Sequence, residues 1–118
     1  MFNLNESMNY YLCPMPTDMR KSFYTLSGVV ADYMQHNVKD GDVFIFVNRT
    51  CTSMKILHME YGGLVIYHKK LESGTFKLPL YDEESHTFRM TWQSLMLMVQ
   101  GIDVDKIIQR KRFELCSK

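Results

Sequence analysis

Val43-Phe44-Ile45-Phe46-Val47 is an unbroken apolar run, closed before it by Lys39-Asp40-Gly41-Asp42 and after it by Asn48-Arg49. Its length suits a strand rather than a helix. Side chains alternate across a strand, so a run that is apolar at every position reads as a central strand buried on both faces. The other elements have to be arranged around it.

Downstream, residues 54–61 and 64–71 flank Gly62-Gly63, the clearest hairpin signal in the chain. A two-residue Gly-Gly turn would pair Tyr61 with Leu64, Met59 with Ile66 and Leu57 with His68 on one largely apolar face. The opposite face would carry Ile56, His58, Glu60, Val65, Tyr67 and Lys69, and reads as a solvated surface or a binding face. His58 and His68 would then point to opposite sides and could not share a metal. Upstream, residues 9–12 read as a short strand ended by Cys13-Pro14-Met15-Pro16. Thr17-Asp18 offers an N-cap, and Met19, Phe23, Leu26, Val30 and Met34 share one helical face, which predicts a helix over 19–35.

Beyond the hairpin, Glu72-Ser73-Gly74 makes a turn, residues 75–78 a further strand, and 81–86 a polar acidic loop. Residues 87–91 read as a strand or a helix lead-in. Thr91 suits the N-cap of a helix running to Gln100, with Gly101 just past its end. A last helix is expected from Asp103 or Asp105, carrying Ile107, Ile108 and Phe113. With no repeat or Pro/Gly linker, residues 1–118 are expected to form a single α+β domain. Its architecture is an antiparallel β-meander of about five strands, an N-terminal helix and one or two C-terminal helices.

No apolar run approaches the roughly 18 residues that cross a bilayer, and no basic leader precedes an apolar stretch, so a cytoplasmic protein without membrane contact is expected. Cys13, Cys51 and Cys116 are odd in number and far apart, which favours reduced thiols over a disulfide framework or a zinc site. Motifs for a nucleophilic serine, a phosphate loop or a zinc protease are absent. The acidic residues sit where turns and helix starts already use them, so neither an enzyme nor a metal or other cofactor is expected.

The net charge of +1 conceals an uneven distribution. Residues 49–79 carry Arg49, Lys55, Lys69, Lys70 and Lys77 against Glu60 and Glu72, and Lys106, Arg110, Lys111, Arg112 and Lys118 crowd the C-terminus. These stretches are compatible with phosphate contact, and equally with an ordinary solvated face. Arg20 and Lys21 fall in the first turn of the expected helix, where cations are unfavourable unless an anion is bound or a carboxylate such as Asp18 neutralises them.

Asp18-Met19-Arg20-Lys21-Ser22-Phe23, Leu26-Ser27-Gly28-Val29-Val30, residues 41–49 and residues 71–79 together resemble the TnpB-type accessory proteins of bacterial insertion sequences of family sixty-six. That family is distinct from the RNA-guided nucleases sharing the name. This chain departs from the pattern at Thr50-Cys51-Thr52-Ser53, where arginines are usual, and at Met59, where tryptophan is usual. The resemblance implies a non-catalytic protein that assists DNA transposition beside a separate, element-encoded transposase. Weak contact with terminal-repeat DNA would fall to Arg20, Lys21, Arg49, Lys55, Lys69 and Lys70 at phosphates, with Tyr67 or His58 near bases or sugars. The alternative is a protein–protein adaptor, self-associating or docked on the transposase through Met-rich surface near the last two helices.

Overall fold

The computed structural model describes residues 4–79 and 89–101. Its elements are β1 (Tyr10–Leu12), α1 (Phe23–Asp32), a 3-10 turn at Val38–Asp40, β2 (Val43–Val47), β3 (Ser53–Glu60), β4 (Gly63–Lys70), β5 (Arg89–Met90) and α2 (Trp92–Val99). The strands form one sheet in the order β4-β3-β2-β1-β5. The α+β expectation holds, with one refinement. β1 pairs with β2 in parallel, Tyr11 opposite Phe44, while every other pairing is antiparallel. A parallel neighbour needs a crossover, and α1 supplies it.

All five β2 residues are buried, as their unbroken apolarity requires. Phe44 and Phe46 face a core shared with Leu57 of β3 and with Leu26 and Val30 of α1. Val43, Ile45 and Val47 face the other core, built with Tyr10, Leu12 and Ile56 and closed by Leu95 and Met98 of α2. The sheet is therefore covered on both sides. The hairpin face carrying Ile56, His58 and Tyr67 is core rather than a solvated or binding surface: His58 is 3% exposed and Tyr67 packs on the α2-side cluster.

α1 begins four residues later than expected. The Asp18 carboxylate closes a turn of its own, accepting from Arg20 N at 2.9 Å, while Asp18 O accepts from Lys21 N at 3.1 Å. The helix is capped afresh at Ser22, where Thr25 Oγ1 accepts from Ser22 N at 2.8 Å. A short polar side chain can serve a local turn or a helix N-terminus, and Asp18 serves the turn. At the other end α1 stops at Asp32, and Gln35 at φ 61 turns the chain towards β2. α2 agrees with its expected signals: Thr91 Oγ1 accepts from Ser94 N at 3.0 Å, and Gly101 at φ 81 ends the last turn.

Residues 75–78 do not join the sheet as a strand. Phe76 N donates to Cys51 O at 2.7 Å, and Phe76 and Leu78 are buried while Thr75 and Lys77 are exposed. The alternation is that of a strand, used here to plug the α2-side core. Cys13 is a buried free thiol but Cys51 is disulfide-bonded, so the reduced-thiol expectation fails at Cys51; Cys116 lies outside the described residues. The acidic loop at 81–86, the helix from Asp103 or Asp105 and the C-terminal basic cluster lie outside the described residues.

The hairpin turn is displaced by one residue. Glu60 pairs with Gly63, Met59 with Leu64 and Leu57 with Ile66, so the two turn residues are Tyr61 (φ 49) and Gly62 (φ 82). Two positive φ values in succession give the primed turn that matches strand twist. The register moves by two residues relative to a Gly62-Gly63 turn, and a shift of two preserves which face each side chain occupies. Gly62→Ala is expected to lower unfolding stability in urea by about 1 kcal/mol, since an L side chain resists this conformation. Gly63→Thr is expected to stay within about 0.5 kcal/mol, and Tyr61→Asn to stabilise by creating Asn-Gly. A larger loss at Gly63 than at Gly62 contradicts the register.

Candidate functional site

Because β1 and β2 run parallel and α1 returns antiparallel to them, the N-terminus of α1 lies at the C-terminal ends of both strands. The same end of the sheet holds the start of β3 and the end of β4, where Ser53 pairs with Lys70 and Lys55 with both Phe46 and His68. Cations far apart in sequence are thereby gathered. Lys55 Nζ donates to Lys21 O at 2.6 Å, tying β3 to the segment before α1. Arg49 lines an open groove of about 480 Å³ with Asn48 and Thr50 on one side and Pro16, Thr17, Asp18 and Met19 on the other. Arg20, Lys21, Arg49, Lys55 and Lys70 therefore share one end of the molecule, opposed locally by Asp18 and Glu72.

These cations are not equivalent. Arg20 is 91% exposed, but its guanidinium grips Asp18, with Nη2 to Oδ2 at 2.6 Å and Nε to both carboxylate oxygens at 3.0 and 3.1 Å. The pair is close to neutral, and Arg20 lies before α1 rather than in its first turn, so the expected anion corner is answered by the carboxylate. Lys55 is 8% exposed and committed to a backbone carbonyl. The side chains of Arg49, Lys70 and Lys21 make no hydrogen bond or ion pair among the described residues. Among the described residues at this end, they are the charges available to an external anion.

Three expected contact residues lie elsewhere. Lys69, on the opposite face of β4, donates from Nζ to Val99 O at 3.0 Å and caps α2, a stabilising place for a cation. Tyr67 belongs to the core under α2. His58 is also unavailable, buried at the other end of the sheet with Nδ1 at 3.4 Å from Asp42 O. Strand alternation placed Tyr67, Lys69 and His58 on one face correctly, but the sequence did not reveal that a second helix covers it.

The field at the basic end is visible in His68. Desolvation, followed by the nearby charges of Lys55 and Lys70, pushes its pKa below the ordinary value. Asp18 moves oppositely for an ion-pair reason: the Arg20 guanidinium bond, then the Arg20 N–H, hold its carboxyl down at about 2. Asp42, at the far end, accepts from Asn9 Nδ2 at 3.2 Å and lies 3.9 Å from His36 Nδ1. Among the described residues, no group of three or more His, Cys, Asp or Glu converges as a metal site would.

Two aromatic side chains at the basic end are exposed, one of them against the expected apolar stripe and the other a residue not singled out in the sequence. Phe23 was assigned to the buried stripe of the helix, yet it is 46% exposed, and Tyr24 beside it is 91% exposed. The later start of α1 places both in its first turn, just past the N-cap Ser22 that follows Lys21. The Met-rich adaptor surface is not found in the described part of α2, where Met98 is buried and Met96 packs against the core.

Residues 8–109 match the family described as IS66 Orf2 like protein. Two proteins of Sinorhizobium fredii, each described as uncharacterized, are similar along most of their length. One, y4jC, is 22% identical over 107 residues, covering 91% of this chain and 90% of its own. The other, y4hO, is 25% identical over 103 residues, covering 87% and 88%. No solved structure matches.

Lys55→Met is expected to leave the Lys21 carbonyl without its donor and to lower stability by about 1–2 kcal/mol in urea unfolding. By NMR titration the Asp18 carboxyl should titrate near 2, and Arg20→Ala should return it towards 3.8. The folded value is the lower one, so any stability from this exposed pair is complete above the ordinary carboxylate range and is lost as pH falls towards 2.

Proposed function

The chain belongs to the IS66 Orf2 like family, and from that premise we propose that it is a non-catalytic accessory protein of an insertion sequence, acting in DNA transposition beside a separate transposase through weak, phosphate-directed contact with element DNA. The observation that carries the DNA contact is the convergence of Lys21, Arg49 and Lys70 from three separate segments onto one end of the sheet, each without an internal partner among the described residues. Phosphate contacts of this kind position a protein on DNA without reading sequence. Lys55 holds the Lys21 segment in place, and the paired Arg20 contributes little net charge. No helix among the described residues is long and apolar enough to cross a membrane.

A second reading, an adaptor docked on the transposase without DNA, would draw on the exposed aromatics of α1. Fluorescence anisotropy of the full chain with terminal-repeat and scrambled duplexes separates the two. The DNA reading expects similar affinity for both duplexes, falling with salt at a log–log slope of about −2 to −3 for three phosphate contacts. Arg49→Ala and Lys70→Ala should each reduce that slope by about 1. Asp18→Asn, which releases Arg20, should tighten binding by about twofold to fivefold at low salt. Absence of binding to either duplex at low salt, with salt-insensitive capture of purified transposase, would establish the adaptor instead.

A further inference from the structure

Tyr24 and Phe23 stand exposed at the basic end. Among the described residues the ring–ring contacts involve Tyr10 with Trp92, and Tyr11, His36 and Phe44 with one another; neither Phe23 nor Tyr24 takes part. The turn that presents them is firmly held, by the Asp18 carboxylate before it, by Lys55 Nζ on Lys21 O, and by Thr25 on Ser22. Two aromatic faces thus follow Lys21, the residue anchored by Lys55, after the single N-cap residue Ser22. The other strongly exposed tyrosines differ in setting: Tyr61 lies in the hairpin turn at the opposite end of the sheet, and Tyr33 at the far end of α1.

The form of DNA that suits this surface follows from what each form offers. In a duplex the bases are already stacked, and a protein reaches only their edges through a groove. The helix beside the basic end is poorly equipped for that. α1 carries no Arg, Lys, Asn or Gln, and its exposed side presents Gly28, Ala31 and Asp32. An unpaired strand instead offers free base faces, and aromatic side chains beside cations that follow the phosphates are the usual means of holding one.

We propose that the DNA held at this end is single-stranded, with Tyr24 and Phe23 stacking on unpaired bases while Lys21, Arg49 and Lys70 contact the phosphates. This rests on the DNA-contact reading above and names the substrate form. Fluorescence anisotropy of the full chain would compare a labelled thymidine oligonucleotide with a duplex matched in phosphate number, alongside Tyr24→Ala, Tyr24→Phe and Tyr24→Leu. Tyr24 is almost wholly exposed, so these variants should fold. The single strand should bind about fivefold or more tightly than the duplex. Tyr24→Ala and Tyr24→Leu should weaken it by about tenfold while leaving the duplex within about twofold, and Tyr24→Phe should retain it, because stacking needs the ring and not the hydroxyl.

Salt-dependent duplex binding without preference for the single strand, or equal loss on both forms in Tyr24→Ala, would overturn the proposal and leave the phosphate-contact reading standing. Failure of both oligonucleotides to bind at low salt would overturn both. Weakened capture of purified transposase by Tyr24→Ala, with unchanged oligonucleotide affinity, would overturn it by assigning the ring to a protein contact.

Discussion

Double-sided burial of β2 governs the arrangement of everything around it. Five large apolar side chains leave water there, at roughly 1.5–3 kcal/mol each, so this strand alone gains roughly 10 kcal/mol of transfer free energy. That is comparable with the net stability of a whole domain. Collecting it requires a cover on each face: α1 on the side of Phe44 and Phe46, and α2 with Phe76 and Leu78 on the side of Val43, Ile45 and Val47. The parallel pairing of β1 with β2 fixes the direction of α1. From that direction follows the position of its N-terminus, beside the start of β3 and the end of β4. The basic end is thus a consequence of topology acting on residues scattered from Arg20 to Lys70.

Gathering like charges has a cost that the molecule limits in three different ways. Arg20 is offset by Asp18 in an exposed pair. Lys55 loses most of its hydration and is given a carbonyl in return, which makes it a structural tie more than a ligand-binding charge. His68 yields by favouring its neutral form, its pKa depressed by desolvation and by the two lysines. Arg49, Lys70 and Lys21 receive none of these remedies among the described residues. A cation left unpaired beside others is unfavourable in the free protein and is relieved by an anion, so a bound phosphate would interact favourably with the whole group.

How much of this was legible in the sequence depended on the range of the interaction involved. β2, the two strands of the hairpin and the Thr91–Gly101 boundaries of α2 are set by local apolar pattern and turn chemistry, and the structure agrees with them, though not with the hairpin's register. Even the misplaced turn left Tyr67 and Lys69 on the right face, because a two-residue slip preserves strand parity. The start of α1 was misread because Asp18 and Ser22 compete for the same role, and the competition is decided by Arg20 closing the Asp18 turn. The site was harder. Assigning Tyr67 and Lys69 to a surface required knowing that α2 folds back over them, and nothing within the hairpin encodes that; His58 is buried at the other end, beside Asp42. Conversely, Phe23 looked buried because it continues the apolar spacing of the helix. The stripe is real at Leu26 and Val30, but Phe23 in the first turn is about half exposed.

Three unpaired cations set an upper limit on what such a surface can accomplish alone. A binding slope of about −2 to −3 means that moving from low to physiological salt removes most of the electrostatic affinity, while screening confines each charge to neighbours within about 8 Å. On the proposed reading, an isolated molecule would release DNA readily. Useful occupancy would then require that the DNA already be near, and association with a transposase bound to the element provides that condition: tethering replaces a dilute encounter by an effective concentration of order millimolar. On that reading, weak contact and partnership would be complementary requirements of the same small basic surface. Sequence specificity would come from the partner, and the accessory chain would add phosphate neutralisation at the point where the DNA is held.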